Sequence, residues 1–89
     1  MMNEQYVKMA ARLYQCRDTA KSLAKLKAQD YKIMIQPYIN IINKIKLENK
    51  IDTIPALLQI SELQFYQDDG MVQLLFMAAT VEIIEPSEN

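Results

Sequence analysis

The chain has 89 residues, a formal net charge of −1 and a hydrophobic fraction of 51%. This length allows one domain, residues 1–89, with one small core, and a disordered chain would carry far fewer large apolar residues. One glycine and three prolines leave few positions for the many tight turns of a sheet-rich fold, whereas a helical bundle needs few turns. The composition therefore predicts an all-α fold.

The chain carries one cysteine, so no disulfide can form within it, and its first two methionines lead directly into polar Asn3 and Glu4. A lone cysteine without an apolar leader is typical of the reducing cytosol. The longest apolar stretch, residues 71–84, is interrupted by polar residues and is shorter than the ~20 residues that cross a bilayer. We therefore expect a cytoplasmic protein with no membrane span.

The first predicted helix runs from Asn3 to about Lys27. Asn3 is a suitable N-cap, and Glu4 in the first turn suits the positive end of the helix dipole. Apolar residues then recur at alternating spacings of three and four, which is the period of an amphipathic helix. Cys16 lies on this apolar seam, where we expect a buried and inert thiol.

The second predicted helix is capped by Asp30 and ends near Asn49. Pro37 complicates it, because a proline inside a helix removes a hydrogen bond and clashes with the preceding turn. Either residues 31–36 form a separate turn, or the helix continues with a kink at Pro37. We prefer the kink, because the apolar stripe keeps its phase across the proline.

The third predicted helix begins near Thr53 and extends to Tyr66. Pro55 falls in its first turn, where the missing N–H is tolerated. The clearest break in the chain follows. There we expect Gly70, the only glycine, to take the left-handed conformation that ends a helix, and one of the two preceding aspartates to cap the next helix.

The fourth predicted helix, residues 71–85, is apolar on nearly every side, since eleven of the fourteen residues from Met71 to Ile84 are apolar. Its last residues have strand propensity, but the segment is longer than an ordinary strand. Pro86 ends the helix and leaves residues 86–89 as a short tail. The sequence thus predicts a small four-helix, bundle-like domain.

A helix that is apolar all round must be surrounded, and three short helices are not expected to cover it completely. Four side chains left in water would forgo roughly 6–12 kcal/mol of burial, against a net domain stability of about 5–15 kcal/mol. Self-association, most often as a two-fold dimer, is the simplest way to bury this apolar surface. Burial by a partner protein is the alternative. The expected oligomer interface comprises Met71, Val72, Leu75, Phe76, Ala79 and Ile83.

Basic and acidic residues are segregated between the two halves of the chain. Residues 1–50 hold ten basic and four acidic side chains, a net charge of +6, and residues 51–89 hold seven acidic and no basic ones, a net charge of −7. The halves can attract each other within one bundle or between subunits, or the basic half can bind an anion.

One flank of the first helix carries side chains that suit a phosphate group and a stacked base or sugar. These candidate ligand residues are Tyr14, Arg17, Lys21 and Lys25. The acidic half offers a candidate surface for a basic partner, made of Asp52, Glu62, Asp68, Asp69 and Glu82.

Residues 54–66, IPALLQISELQFY, resemble the helix-turn-helix of small regulators, with Ser61 opening the recognition helix. The resemblance implies DNA binding. Electrostatics weigh against it, because this segment carries Glu62 and no Lys or Arg, while basic side chains that neutralise phosphates supply most nucleic-acid affinity. We therefore do not favour DNA as a partner.

The absence of histidine removes the commonest general base and metal ligand. One glycine cannot build a glycine-rich phosphate loop, and the adjacent Asp68 and Asp69 fit a turn and a helix cap better than a metal pair. We therefore predict no catalytic residue, no metal and no cofactor.

Three non-enzymatic functions are consistent with these patterns. The leading hypothesis is a protein-interaction module that self-associates through its apolar C-terminal helix. The second is a binder of a small anionic ligand, such as a nucleotide, at an inter-subunit site. The third, by analogy with small phage-encoded inhibitors, is a protein that docks its acidic surface on a basic groove of a target.

Overall fold

Residues 4–87 are described by the computed structural model, and within this range the chain forms five helices and no strand. The helices are α1 (Glu4–Leu26), α2 (Tyr31–Asn49), α3 (Thr53–Ser61), α4 (Gln64–Gln67) and α5 (Gly70–Ile84). The predicted all-α, bundle-like fold is therefore confirmed, with one short helix more than expected. The predicted cap Asn3 and the last two residues of the predicted tail lie outside the described residues.

Aspartates cap three of the helices. Asp30 at the start of α2, Asp52 at α3 and Asp69 at α5 each accept hydrogen bonds from backbone N–H groups of the first turn, at 2.8–3.4 Å. These N–H groups have no partner within the helix, so each carboxylate stabilises the helix start. Asp30 and Asp69 are caps that the sequence predicted.

α2 continues through Pro37 without interruption. The alternative in which residues 31–36 form a separate turn is therefore wrong. The helix ends at Asn49, as predicted, and Ile35 and Ile42 are its fully buried side chains. Their spacing of seven residues places both on the face of α2 that meets the core.

The predicted third helix is divided in two. α3 ends at Ser61, whose hydroxyl donates a hydrogen bond of 2.7 Å to the carbonyl of Leu58, and the chain re-enters a helix only at Gln64. Ser61 therefore closes a helix and does not open one. α4 is a single turn, so this segment lacks the recognition helix that the resemblance to helix-turn-helix regulators implied.

The predicted role of Gly70 is also wrong, because Gly70 is the first residue of α5 and has no positive φ. The left-handed residues are Ala28 (φ 53°), just after α1, and Lys50 (φ 54°), just after α2. At each of these helix ends, the N–H of the following residue bonds a carbonyl five residues earlier, at 2.9 and 3.1 Å. These bonds satisfy carbonyls that would otherwise lack a partner.

α5 lies at the centre and packs against the other four helices. Every residue from Leu75 to Glu82 is buried, and Phe76, fully buried, is surrounded by the rings of Tyr38, Phe65 and Tyr66 at centroid distances of 4.9–6.0 Å. Small side chains let the neighbouring backbones approach closely. The buried alanines are Ala20, Ala24, Ala56, Ala78 and Ala79.

Half of the predicted oligomer interface therefore lies inside the core. Phe76 and Ala79 are fully buried and Leu75 is 6% exposed, so no second molecule can reach these three side chains. Val72 and Ile83 are half-buried, and Met71 is exposed at the start of α5. The chain thus covers the middle of its own apolar helix, where small side chains let the neighbouring helices approach, whereas Met71 and Ile84 at the two ends of α5 remain exposed.

Candidate functional site

A cavity of about 510 Å³ lies where the second half of α1 meets the end of α5. Three of the four predicted ligand residues line it, because residues four apart in sequence share one flank of a helix. The lining comes from α1, the loop after it, the start of α2 and the segment after α5, and it includes Arg17, Lys21, Ala24, Lys25, Gln29, Tyr31 and residues 85–87.

Arg17 is largely buried in the wall of the cavity, with a side chain only 16% exposed. Its Nη1 lies 3.8 Å from the carboxylate of Glu82 and donates a hydrogen bond of 3.0 Å to the main-chain carbonyl of Glu85. Its Nε is buried and has no hydrogen-bond partner among residues 4–87. One donor of this guanidinium is therefore unused.

Lys21 and Lys32 hold the segment that follows α5. The ammonium of Lys21 donates to the hydroxyl of Ser87 at 2.8 Å, and that of Lys32 donates to the carbonyl of Ser87 at 3.5 Å. The backbone N–H and the hydroxyl of Ser87 in turn donate to the carboxylate of Glu82. The basic residues of α1 and α2 thus bind oxygen atoms of the chain's own C-terminal segment.

Tyr14, the fourth predicted ligand residue, lies beside this cavity and not in its lining. Its hydroxyl donates a hydrogen bond to the carboxylate of Glu85, and the guanidinium of Arg17 lies 5.2 Å from its ring centroid. The bond to Glu85 raises the pKa of Tyr14, as do burial and the negative charge of that carboxylate. The ring stacks against Arg17, so it is not available to stack on a base from that side.

Tyr31, at the start of α2, contributes an aromatic ring to the lining of the cavity. Its hydroxyl oxygen is buried, and burial, followed by the negative charge of Glu82, raises the pKa of this phenol far above its ordinary value. The ammonium of Lys21 lies 5.5 Å from the Tyr31 ring centroid. This ring therefore offers the cavity an aromatic face next to a cation.

Lys25 and Gln29 provide the open part of the cavity. Both side chains are exposed, both line the cavity, and neither has a hydrogen bond or ion pair within the described range. An ammonium and an amide therefore face the cavity as free donors.

The predicted acidic surface is only partly present. Asp52 and Asp69 cap helices, and Asp68 accepts a hydrogen bond of 2.7 Å from the side chain of Gln64. Glu62 is exposed. Glu82 does not belong to a surface, because its side chain is 6% exposed and faces Arg17. A carboxylate can be buried in an apolar helix only if a cation or hydrogen-bond donors compensate for its lost hydration. Arg17 and Ser87 are these partners of Glu82.

The sequence singled out the cations of the cavity but not Tyr31, Lys32 or Ser87. These residues are close to α1 only because α2 and the end of α5 pack beside it. One feature of the sequence, however, could have indicated the buried ion pair beside the cavity. Glu82 is the only charged residue in the apolar run of α5, and a lone carboxylate at such a position indicates a buried partner of opposite charge.

Within residues 4–87, no three His, Cys, Asp or Glu side chains are grouped so that they could bind a metal ion. None of the helices in that range has the length and apolarity that crossing a membrane requires. Comparisons with protein-family models, curated proteins and solved structures gave no significant match to this chain.

Proposed function

We propose that this protein is a non-enzymatic binding module that takes a small anionic ligand, through a carboxylate or phosphate group, in the cavity at Arg17, Lys21 and Lys25. The observation that carries the proposal is the convergence of three cations on one cavity, in whose lining Glu85 is the one acidic residue. A fourth cation, Lys32 from α2, donates to the carbonyl of Ser87, a residue of that lining. An excess of positive charge in a concave site attracts anions.

The contacts of the C-terminal segment support this assignment. Arg17, Lys21 and Lys32 each donate to an oxygen of residues 85–87, and these acceptors are uncharged carbonyl or hydroxyl oxygens. A negatively charged oxygen adds a direct Coulomb attraction to these cationic donors, which a neutral oxygen lacks. An anionic ligand can therefore replace neutral acceptors at donors that already point to one place.

The free donors define where the ligand enters. Lys25 and Gln29 lie at the exposed side of the cavity, and the ring of Tyr31 lies beside Lys21. An anion that enters here meets Lys25 first and Lys21 further in. The chain has no histidine, which is the commonest general base, so we expect binding without turnover.

Titration calorimetry with inorganic phosphate at low ionic strength tests the proposal. Lys25→Ala is the informative variant, because Lys25 is exposed and makes no contact on which the fold depends. A hydrogen bond to a charged group contributes about 1.5–3 kcal/mol, so we expect Lys25→Ala to weaken phosphate binding about tenfold or more. Thermal denaturation of the variant should match that of the wild type.

Lys8→Ala is the matched control. Lys8 is exposed on the same helix and lies outside the cavity, so its loss changes the net charge equally without touching the site. Equal weakening in the two variants would show that phosphate responds to overall charge only. Undetectable binding of phosphate at low salt would contradict the proposal directly.

Self-association remains a second candidate, on a different surface. Leu26 at the end of α1, and Ile33 and Leu47 on α2, are 73–85% exposed, and the fourteen-residue spacing of Ile33 and Leu47 places them on one face. Exposed large apolar residues on one face favour contact with another protein. In sedimentation experiments, Leu47→Gln should shift a wild-type oligomer toward the 10.3 kDa chain. A wild type that sediments as a monomer at all concentrations ends this candidate.

A further inference from the structure

A second cavity, of about 260 Å³, lies between the first half of α1, α3 and the end of α5. Its lining is apolar apart from one phenol hydroxyl, and it includes Ala10, Leu13, Tyr14, Ile54, Val81 and Ile84. An apolar cavity next to a few fixed polar groups is the usual form of a small-molecule site.

The apolar cavity and the basic cavity follow one another along a single stripe of α1. Ala10, Tyr14, Arg17 and Lys21 are spaced by four, three and four residues, so they lie on one face of the helix. On α5, Ile84 lines the apolar cavity, and the next residue, Glu85, lines the basic one. The two cavities therefore lie next to each other along α1 and the end of α5.

A side-chain pair links the linings of the two cavities. The Tyr14 ring lines the apolar cavity, while the Tyr14 hydroxyl donates to the Glu85 carboxylate, which lines the basic cavity. Both residues are exposed. A carboxylate from a ligand can take the place of the Glu85 carboxylate on this hydroxyl, because Glu85 is then rehydrated at the surface.

We infer that the ligand is an anionic amphiphile, namely an acyl chain with a terminal carboxylate, whose head binds at Arg17 and Lys21 and whose tail fills the apolar cavity. The inference rests on the proposed anion site and adds the chemical class of the ligand. The distance from Arg17 to Ala10 along α1 is about 10 Å at a rise of 1.5 Å per residue, which suits a chain of medium length.

The test is the dependence of affinity on chain length. Hexanoate, octanoate and decanoate are titrated below their micellar concentrations. Burial of each methylene strengthens binding about fourfold, so affinity should rise about fifteenfold for every two methylenes until the cavity is full. Inorganic phosphate, which has no tail, reports on the basic cavity alone.

Three variants test whether the tail lies in the apolar cavity. Ala10→Phe and Ile84→Gln change the cavity, and Ala11→Phe is the control. Ala10→Phe places a ring in the apolar cavity and should abolish the dependence on chain length while phosphate binding stays unchanged. Ala11→Phe, the same change at the exposed neighbouring position, should leave the dependence intact. Ile84→Gln changes an exposed residue of the cavity wall, so it should lower decanoate affinity without disturbing the fold.

Each outcome decides one point. Affinity that is equal for the three acids, while phosphate binding still depends on Lys25, overturns the amphiphile and leaves the anion site in place. A chain-length effect that survives both Ala10→Phe and Ile84→Gln places the tail elsewhere and also overturns the inference. If Lys21→Ala leaves decanoate affinity unchanged, the head does not bind in the basic cavity and the inference fails.

Discussion

At the residue scale, two helix ends depend on side chains in an unfavourable backbone conformation. Ala28 and Lys50 have φ values of 53° and 54°, where a Cβ crowds the following carbonyl and costs about 1–2 kcal/mol. Glycine avoids this crowding and is the common residue at such positions. Both residues are exposed, so substitution at either affects the backbone conformation more than the packing.

Lys50→Gly should therefore raise the free energy of unfolding by about 0.5–1 kcal/mol, since relief of crowding exceeds the added flexibility of the unfolded chain. Urea denaturation measures the change. Lys44→Gly is the control, because Lys44 is exposed inside the same helix and glycine there should lower stability by about 1 kcal/mol. Loss of stability in both variants would contradict the role given to the left-handed conformation.

The raised pKa of Tyr31 makes the free energy of unfolding depend on pH in the alkaline range. Burial raises its pKa in the folded protein, whereas the unfolded chain has the ordinary value of about 10. Below this value both states hold the proton, and above it the unfolded state releases the proton first. The contribution of Tyr31 to stability is therefore complete below about pH 10 and is lost as the pH rises further.

The stability of the wild type relative to Tyr31→Phe should thus be constant from neutral pH to about pH 9 and should fall at higher pH. Urea denaturation at a series of pH values provides this comparison, and the near-ultraviolet absorbance of tyrosinate gives an independent titration. A difference that stays constant past pH 10 would show that the Tyr31 phenol titrates normally in the folded protein.

At the scale of the elements, the position of α5 depends on close contact at alanines. Ala79 of α5 is fully buried, as are Ala20 of α1 and Ala56 of α3. Interiors are packed densely enough that added methylenes displace their neighbours. Ala79→Leu should therefore lower the free energy of unfolding by about 1–3 kcal/mol.

Ala11→Leu is the control for this prediction. Ala11 is exposed on α1, where the same substitution should change stability by no more than about 0.5 kcal/mol. The two variants are compared by urea denaturation. If Ala79→Leu is as stable as Ala11→Leu, α5 is not tightly enclosed, and the reason given for its burial within one chain is wrong.

The sequence could predict those elements that depend on local preferences, but not those that depend on contacts between helices. Asp30 as a cap and the helical nature of residues 71–84 follow from local preferences, so the prediction was correct. The coverage of α5 depends on how closely five helices approach, and periodicity does not contain that information. The division after Ser61 is also missed, because a single helical turn carries no period of its own.

The residues of the candidate site differ in the same way: some share one helix and were predictable, and others are brought together only by the packing of helices. Arg17, Lys21 and Lys25 share a flank because of their spacing within one helix, which the sequence states directly. Ser87 lies 66 residues from Lys21 along the chain, and only the packing of α5 against α1 brings the two together. The apolar cavity next to Tyr14 could not be predicted for the same reason.

At the scale of the whole molecule, the basic and acidic halves pack against each other but form few ion pairs. Within residues 4–87, the one ion pair that joins them is Arg17–Glu82, and the other ion pair, Lys44–Glu48, lies within α2. The segregated charges therefore mostly face solvent. Attraction between the halves is concentrated at the buried pair that adjoins the proposed ligand site.

A double-mutant cycle with Arg17→Met and Glu82→Gln measures this attraction. Both side chains are largely buried, at 16% and 6% exposure, so solvent screens their interaction weakly. We expect a coupling energy of about 1–3 kcal/mol in the free energy of unfolding. Glu82→Gln keeps only one of the two oxygens that accept from Ser87. The bond that is lost is lost in the double variant as well, so it cancels in the coupling energy.

A second cycle, with Lys44→Met and Glu48→Gln, is the reference. The side chains of this pair are 76% and 60% exposed. Its coupling should be about 0.3–0.5 kcal/mol and should fall as salt is added, whereas the coupling of Arg17 with Glu82 should change little. Equal couplings in the two cycles would mean that Arg17 and Glu82 are hydrated. The two halves would then be joined by apolar packing and by hydrogen bonds such as those of Arg17 to Glu85 and Lys21 to Ser87, without a contribution from a buried ion pair.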